Sequence, residues 1–270
     1  MRNGIFAFLI SIPIGFLGGL IGLGGAEFRL PVLVGLLKRQ AREAVPINLA
    51  VSLITIITSL FIRLKVVSEF PFLDLLPVLL SMIFGAVLSA FITAGVASKI
   101  SSHALETWMK FLLIAIGLLL IIEGFIPISS ANLLNASLLV QSIVGITAGI
   151  LIGVVSSTLG VAGGELIIPT LIFVFGLGVK LAGTASLIIS LPTICSGLIR
   201  YYHSKAFFNR SAAVQIVIPM GAGSIIGSIL GGLLFGFVSP NGLKVLLGMI
   251  LIYSAIRIFL RSSARPKVNE

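Results

Sequence analysis

The chain has 270 residues, 58% of them hydrophobic and 10% charged, with 18 Lys and Arg against 8 Asp and Glu, a formal net charge of +10 and a mean hydropathy of +1.23. Apolar runs repeatedly reach the roughly 20 residues that a bilayer-crossing helix needs, so composition predicts an all-α polytopic membrane protein. The single cysteine, Cys195, excludes an internal disulfide, two histidines without Cys or Asp partners argue against a transition-metal site, and basic residues placed in short connections between apolar runs report membrane orientation rather than nucleic acid binding.

The first apolar segment covers about residues 4–22 and, with Arg2 before it, also has the outline of a secretory signal. It leads into "GLGGAEFRLP" at residues 22–31 and a short apolar segment at 27–37, too short to span a bilayer. Longer segments follow at about 45–62, 71–97 and 104–126, and then the polar joint "PISSANLLNAS" at 127–137. The second half repeats the plan: a segment at 138–160, the motif "GVAGGELIIP" at 160–169, a short segment at 165–179, and long ones at 182–199, 211–236 and 241–260.

The two halves align without a gap at an offset of 138 residues, which pairs Gly15 with Gly153, Gly22 with Gly160, Gly25 with Gly163, Glu27 with Glu165, Pro31 with Pro169, Ser52 with Ser190, Thr55 with Thr193 and Gly85 with Gly223. Apolar stretches match one another by accident, so the Gly, Glu, Pro, Ser and Thr pairs carry the argument. Because residues 5–20 have an internal partner in 143–158, the first segment is expected to belong to the fold rather than to a removable leader. The expected organisation is a first repeat at 1–126, a joint at 127–137, a second repeat at 138–261 and a cytoplasmic tail at 262–270.

Charge placement selects a topology. If the first two segments of each half form a hairpin that enters and returns, the halves have opposite orientation. One face then collects Arg2, Lys38, Arg39, Arg42, Lys99, Arg200, Lys205, Arg210, Arg261, Arg265 and Lys267, and the other keeps Arg63, Lys65 and Lys180. That obeys the positive-inside rule. The expectation is two inverted repeats, each with a re-entrant or broken-helix hairpin plus three transmembrane helices, in the inner (plasma) membrane with both termini cytoplasmic. "RYYHSKAFFNR" at 200–210 reads as a cytoplasmic interfacial anchor, with Tyr201 and Tyr202 at headgroup level, and Trp108 and Lys110 read as interfacial too.

A chain that turns inside a bilayer survives only where it is buried in protein or lines a wet cavity, and glycine lets the turn form and a ligand approach. The half-helix that follows offers free N–H groups and a positive dipole end to an anion. Close helix packing by small residues is the plain alternative; duplication of the cluster favours two walls of one site. Asn48, Ser52, Thr55 and Ser59 share one helical face, and Ser186, Ser190, Thr193 and Gly197, flanked by Ser196, repeat it. Such a stripe either bonds neighbouring helices or faces substrate.

Glu27 and Glu165 are intramembrane carboxylates, either first-turn caps or proton carriers. The cap is preferred, since an ionised Glu beside an anion site repels the substrate. Arg29 has Ile167 as its repeat partner and breaks the symmetry; pairing with Glu27, holding an anion and snorkelling are its three readings. The expected substrate-binding set is Gly22, Gly24, Gly25, Ala26, Glu27, Asn48, Ser52 and Thr55 with Gly160, Gly163, Gly164, Glu165, Ser186, Ser190 and Thr193. No phosphate-binding loop, zinc-protease helix or nucleophile triad is legible, so neither an enzyme nor a cofactor or metal is expected.

The pattern G-x-[GA]-G-[GA] with proline nine residues after its first glycine, at Gly22 to Pro31 and Gly160 to Pro169, resembles the TauE/SafE sulfite-exporter family over nearly the whole chain. The resemblance implies a bacterial or archaeal inner-membrane permease for sulfite and related organosulfonates, and points to Gly22, Gly24, Gly25, Ala26, Pro31, Gly160, Gly163, Gly164 and Pro169. The family usually has an apolar or aromatic residue where Glu27 and Glu165 stand. The expected function is secondary transport of a small sulfur-containing anion by alternating access, with the bilayer and the anion as partners. A proton-coupled or cation carrier using Glu27 and Glu165 and a nontransporting scaffold subunit are the alternatives.

Overall fold

The computed structural model describes residues 2–39, 41–67, 70–96, 102–126, 132–159, 161–203 and 210–263. These residues are helical almost throughout. In the first half, α1 (Arg2–Leu17) continues through a π-helical turn (Gly18–Gly22), and α2 (Ala26–Pro31) through another (Val32–Leu36). They are followed by α3 (Ala41–Val66), α4 (Phe72–Val96) and α5 (Ser102–Phe125). The second half supplies α6 (Leu138–Leu159), α7 (Gly164–Phe173), α8 (Val179–His203), α9 (Arg210–Leu234) and α10 (Pro240–Ser263). Helices α2 to α5 start at Ala26, Ala41, Phe72 and Ser102, and α7 to α10 at Gly164, Val179, Arg210 and Pro240, an offset of 138 throughout. Among the described residues, six helices are long and apolar enough to cross a membrane: those containing Gly4–Gly22, Glu43–Val66, Phe72–Thr93, Leu138–Ser157, Val179–His203 and Val214–Leu234.

The chain divides into two compact units, and neither is a repeat. The larger takes Met1–Ser98 and Ser130–Val238, the smaller Lys99–Ser129 and Ser239–Glu270. In the larger unit the halves interleave: α1 packs on α9, and the repeat-related α6 packs on α4. Glycine makes both contacts close. A β-carbon on Gly15 would lie 2.5 Å from the Ser224 carbonyl oxygen, and one on Gly153 would run into the carbonyl of Ala86, the residue equivalent to Ser224. Between helices in a bilayer there is no water to expel, so tight van der Waals contact through small residues replaces the hydrophobic effect as the driving force.

Contact order along these pairs gives helix direction. Gly15 meets Ser224 and Gly19 meets Ser228, so α1 and α9 run the same way; Gly149 meets Met82 and Gly153 meets Ala86, so α6 and α4 do too. Helices α3 and α8 run oppositely, since Leu49 lies by Gly197 and Arg63 by Gly183. The core formed by Ala26, Leu49, Ile56, Ala162, Leu187 and Ile194 fills the seam between α3 and α8. Leu49 with Leu187, and Ile56 with Ile194, are repeat pairs, so the seam has the same composition from either side.

In the smaller unit α5 and α10 are antiparallel. A β-carbon on Gly117 would lie 2.8 Å from the Gly248 carbonyl oxygen, and the Lys244 Nζ donates to Glu123 Oε1 at 2.7 Å.

Candidate functional site

Each half turns back on itself at its glycine motif, and the two turns meet. The backbone of Gly22 abuts that of Gly183, Leu23 lies against Gly164, and Gly24 lies against Ala162. The Ser186 hydroxyl donates to the Gly22 carbonyl at 3.1 Å, which ties α8 of one half to the turn of the other. Gly25 and Gly163 have φ of +72° and +80° and start α2 and α7. This left-handed conformation strains any residue with a β-carbon. The two positions also share surroundings, because a β-carbon on Gly25 would lie 2.8 Å from Ile14 and one on Gly163 would lie 3.0 Å from Ile152, the repeat partner of Ile14.

Elsewhere the turns differ. The first half uses left-handed backbone at Gly22 and Gly24 (φ +97° and +79°), whereas Ala162 stands opposite Gly24, and the Ser156 hydroxyl secures that turn by donating to the Val161 carbonyl at 2.6 Å. Gly160, expected in the site, lies outside the described residues. Ala26 and Gly164 begin the half-helices, both buried. Pro31 and Pro169 come six residues into α2 and α7, where they cannot donate to the carbonyls of Glu27 and Glu165, so neither half-helix has a complete ladder.

Both polar stripes are buried, and their bonds run in different directions. On α3, the Asn48 Nδ2 donates to the Ala26 carbonyl at 2.9 Å, and Ser52 and Thr55 accept from Arg29. On α8, Ser186 reaches Gly22, the Thr193 hydroxyl donates to the Ile189 carbonyl within its own helix, and the Ser196 hydroxyl to the Val87 carbonyl of α4. On each helix the polar stripe and the residues of the apolar seam occupy neighbouring but different faces.

Arg29 is the chemical centre of the first-half cluster. It projects from α2 and is 0% exposed. Its Nη1 donates to Ser52 Oγ at 2.8 Å, and its Nη2 donates to Thr55 Oγ1 at 3.1 Å and to Ser224 Oγ of α9 at 3.2 Å, while Nε meets no protein acceptor. Snorkelling is therefore overturned, since the side chain points inward. Three neutral hydroxyls orient the guanidinium, and Glu27 lies within its electrostatic reach, so pairing with Glu27 stands beside anion binding as a reading. The equivalent positions of the second half carry Ile167, Ser190, Thr193 and Ala86, so the same scaffold there has no cation, and the buried Ser190 hydroxyl has no hydrogen-bond partner. Glu27 and Glu165 occupy the first turns of α2 and α7 and are 8% and 4% exposed.

Sequence reading missed Ser224 and Arg63. Ser224 and Ser228 are serines in a glycine-rich helix, and the packing of α9 against α1 and α3 brings Ser224 near Arg29. Arg63 was read as a charge at the membrane face because the third segment was expected to end near residue 62. The helix runs on to Val66, and Arg63 is 0% exposed inside it. Tyr202 is exposed, as an interfacial anchor requires, but Tyr201 turns inward and donates from its hydroxyl to the Ser157 carbonyl at 3.4 Å. Residues 204–209 and the side chains of Trp108 and Lys110 lie outside what is described.

The model of the sulfite exporter TauE/SafE family matches residues 7–258 of the chain, nearly its whole length. No curated protein and no solved structure gives a significant match.

Proposed function

The chain belongs to the sulfite exporter TauE/SafE family, and from that premise we propose that it is a secondary transporter of a small sulfur-containing oxyanion, sulfite or an organosulfonate, working by alternating access. The observation that carries the reading is Arg29, a fully buried guanidinium held by three hydroxyls with Nε unused. A buried charge is costly unless it is paired. Glu27 lies within electrostatic reach of the guanidinium, and an oxyanion would add acceptors for charge-assisted hydrogen bonds, Nε among their donors.

Transport requires the closed seam to part. The apolar cluster of Leu49, Ile56, Leu187 and Ile194 holds no hydrogen bond to exchange, so α3 and α8 can separate there by sliding or rocking of packed surfaces, with the Arg63 bond to the Lys180 carbonyl as the polar link to be broken. The opposite directions of these two repeat-related helices support an inverted repeat, in which one motion seen from either side opens either face. In this reading both termini are cytoplasmic and the two glycine turns are the pivots.

A proton-coupled carrier is the second reading, favoured by one observation: two carboxylates, Glu27 and Glu165, buried at equivalent positions. Uptake into proteoliposomes of labelled sulfite, sulfoacetate, sulfate and a divalent cation, each with and without a pH gradient, separates the readings. Saturable flux of a sulfur oxyanion supports the proposal. Cation flux, or no flux of any of the four, overturns it.

A further inference from the structure

At the other end of α3 from Asn48, a second buried cation stands apart from the Arg29 cluster. The Arg63 guanidinium is 0% exposed; Nη2 donates to the Lys180 carbonyl at 3.2 Å, and Nε and Nη1 have no acceptor. One of its faces lies 3.8 Å from the ring centroid of Phe235, itself 1% exposed. The same ring lies 5.3 Å from Lys180 Nζ, which donates to the Gly236 carbonyl at 3.0 Å. Two cations thus share one aromatic ring, and among the described residues neither forms an ion pair.

The plain role for an arginine in a last helical turn is to complement the helix dipole while its head reaches water. Arg63 does not reach water. Its seat is made by glycine on both sides: a β-carbon on Gly22 would lie 2.6 Å from Nη1, and one on Gly183 would lie 2.7 Å from Nη2. The first glycine of the repeated motif therefore serves this guanidinium. In the second half Tyr201 holds the equivalent position, so the arrangement exists at one end of the unit.

We propose that Arg63, supported by Phe235 and Lys180, is a second anion-binding station that takes a small oxyanion at Nε and Nη1. Thr55, which accepts from Arg29, and Arg63 are eight residues apart on one helix, about 12 Å at 1.5 Å per residue. An anion leaving one guanidinium meets the next within a short step, and several moderate sites in series allow both entry and exit. An occupant reaches Nε and Nη1 when the Gly22–Gly183 contact opens, and the buried seat behind Phe235 favours a free small oxyanion over a phosphate carried on a lipid. The inference rests on the reading that the permeant is an anion.

Equilibrium dialysis of purified full-length protein with radiolabelled sulfite, in detergent without phospholipid, tests it. Wild type must first bind sulfite; if it does not, the transport reading fails, and this one with it. Given wild-type binding, the expected result is two sulfites per chain, falling to one in Arg63→Gln, with Arg29→Gln losing the other. The stoichiometry of wild type distinguishes this inference from the transport reading, which needs one. Arg63→Lys keeps a cation over Phe235 but not the planar donor set, so it is expected to keep the melting temperature while weakening the second site about tenfold to a hundredfold, the equivalent of a charge-assisted hydrogen bond. One sulfite per wild-type chain, unchanged binding in a folded Arg63→Gln or Arg63→Lys, or failure of both variants to fold would each overturn the station and leave Arg63 structural. An effect seen only in vesicles containing phosphatidylglycerol would reassign the residue to a lipid headgroup and overturn it too.

Discussion

Arg29 and Ser52, 23 residues apart in sequence, are joined by a 2.8 Å hydrogen bond inside the larger unit, with neither side chain reaching the surface. The bond fixes the guanidinium of a half-helix against the long helix that follows it. Arg29→Gln is expected to weaken sulfite affinity about tenfold to a hundredfold, since hydrogen bonds to a charged group contribute about 1.5–3 kcal/mol. Arg29→Lys keeps the charge but loses the fork that engages Ser52, Thr55 and Ser224 together, so it should fall between the two. Concentration-dependent uptake in proteoliposomes measures both. Wild-type affinity in a folded Arg29→Gln protein would remove Arg29 from the site.

The glycine turns give a graded expectation. Gly25→Ala should destabilise more than Gly163→Ala, although both adopt positive φ. At Gly25 the new β-carbon meets both the side chain and the carbonyl oxygen of Ile14, at 2.8 and 3.0 Å, whereas at Gly163 the close neighbour is an Ile152 side-chain carbon at 3.0 Å. The left-handed conformation alone costs about 1–2 kcal/mol, and a backbone neighbour cannot rotate away. Thermal unfolding of the two variants in detergent gives the order. Gly25→Val and Gly163→Val should abolish transport, because β-branching adds to the strain.

Glu27→Gln and Glu165→Gln are expected to retain substantial transport, since an amide preserves the volume, and Glu27→Gln, which removes a negative charge acting on Arg29, should have anion affinity equal to or above wild type. Uptake with and without an imposed pH gradient is the measurement. Intact binding with complete loss of gradient-driven accumulation in either variant would show that the carboxylates carry protons and would favour the second reading.

The proposed inverted repeat, oriented by the placement of basic residues, predicts both termini in the cytoplasm and the joint at 127–137 outside. A reporter active only in the cytoplasm should give signal when fused after Glu270, and one active only outside should give signal when inserted near Asn132. The opposite pattern would overturn the orientation, and a joint on the same side as the C-terminus would overturn the inverted repeat and with it the symmetric opening of the two faces.

The sequence by itself determined the class, the helices and the duplication. Long apolar runs have no other stable solution in a bilayer, where every backbone polar group must be bonded internally. The repeat offset of 138 survives as the offset between helix starts, because helix ends are set locally by prolines, glycines and polar breaks. The turns at Gly25 and Gly163 were legible for the same reason: positive φ is a property of a single residue.

Tertiary structure decided which faces meet. A polar stripe states that a face is special, but its neighbours depend on helix crossings between residues far apart in the chain. Ser52 and Ser190 are repeat partners, yet one accepts from Arg29 and the other has no hydrogen-bond partner, because a single exchange of Arg29 for Ile167 removes the donor. Arg63 looked like an interfacial charge because burial is a property of the surroundings, and the Phe235 ring and the Gly22 and Gly183 backbones that enclose it come from α1, α8 and the end of α9. Local physics wrote the helices and turns into the sequence, whereas the two guanidiniums owe their burial to packing between helices far apart in the chain.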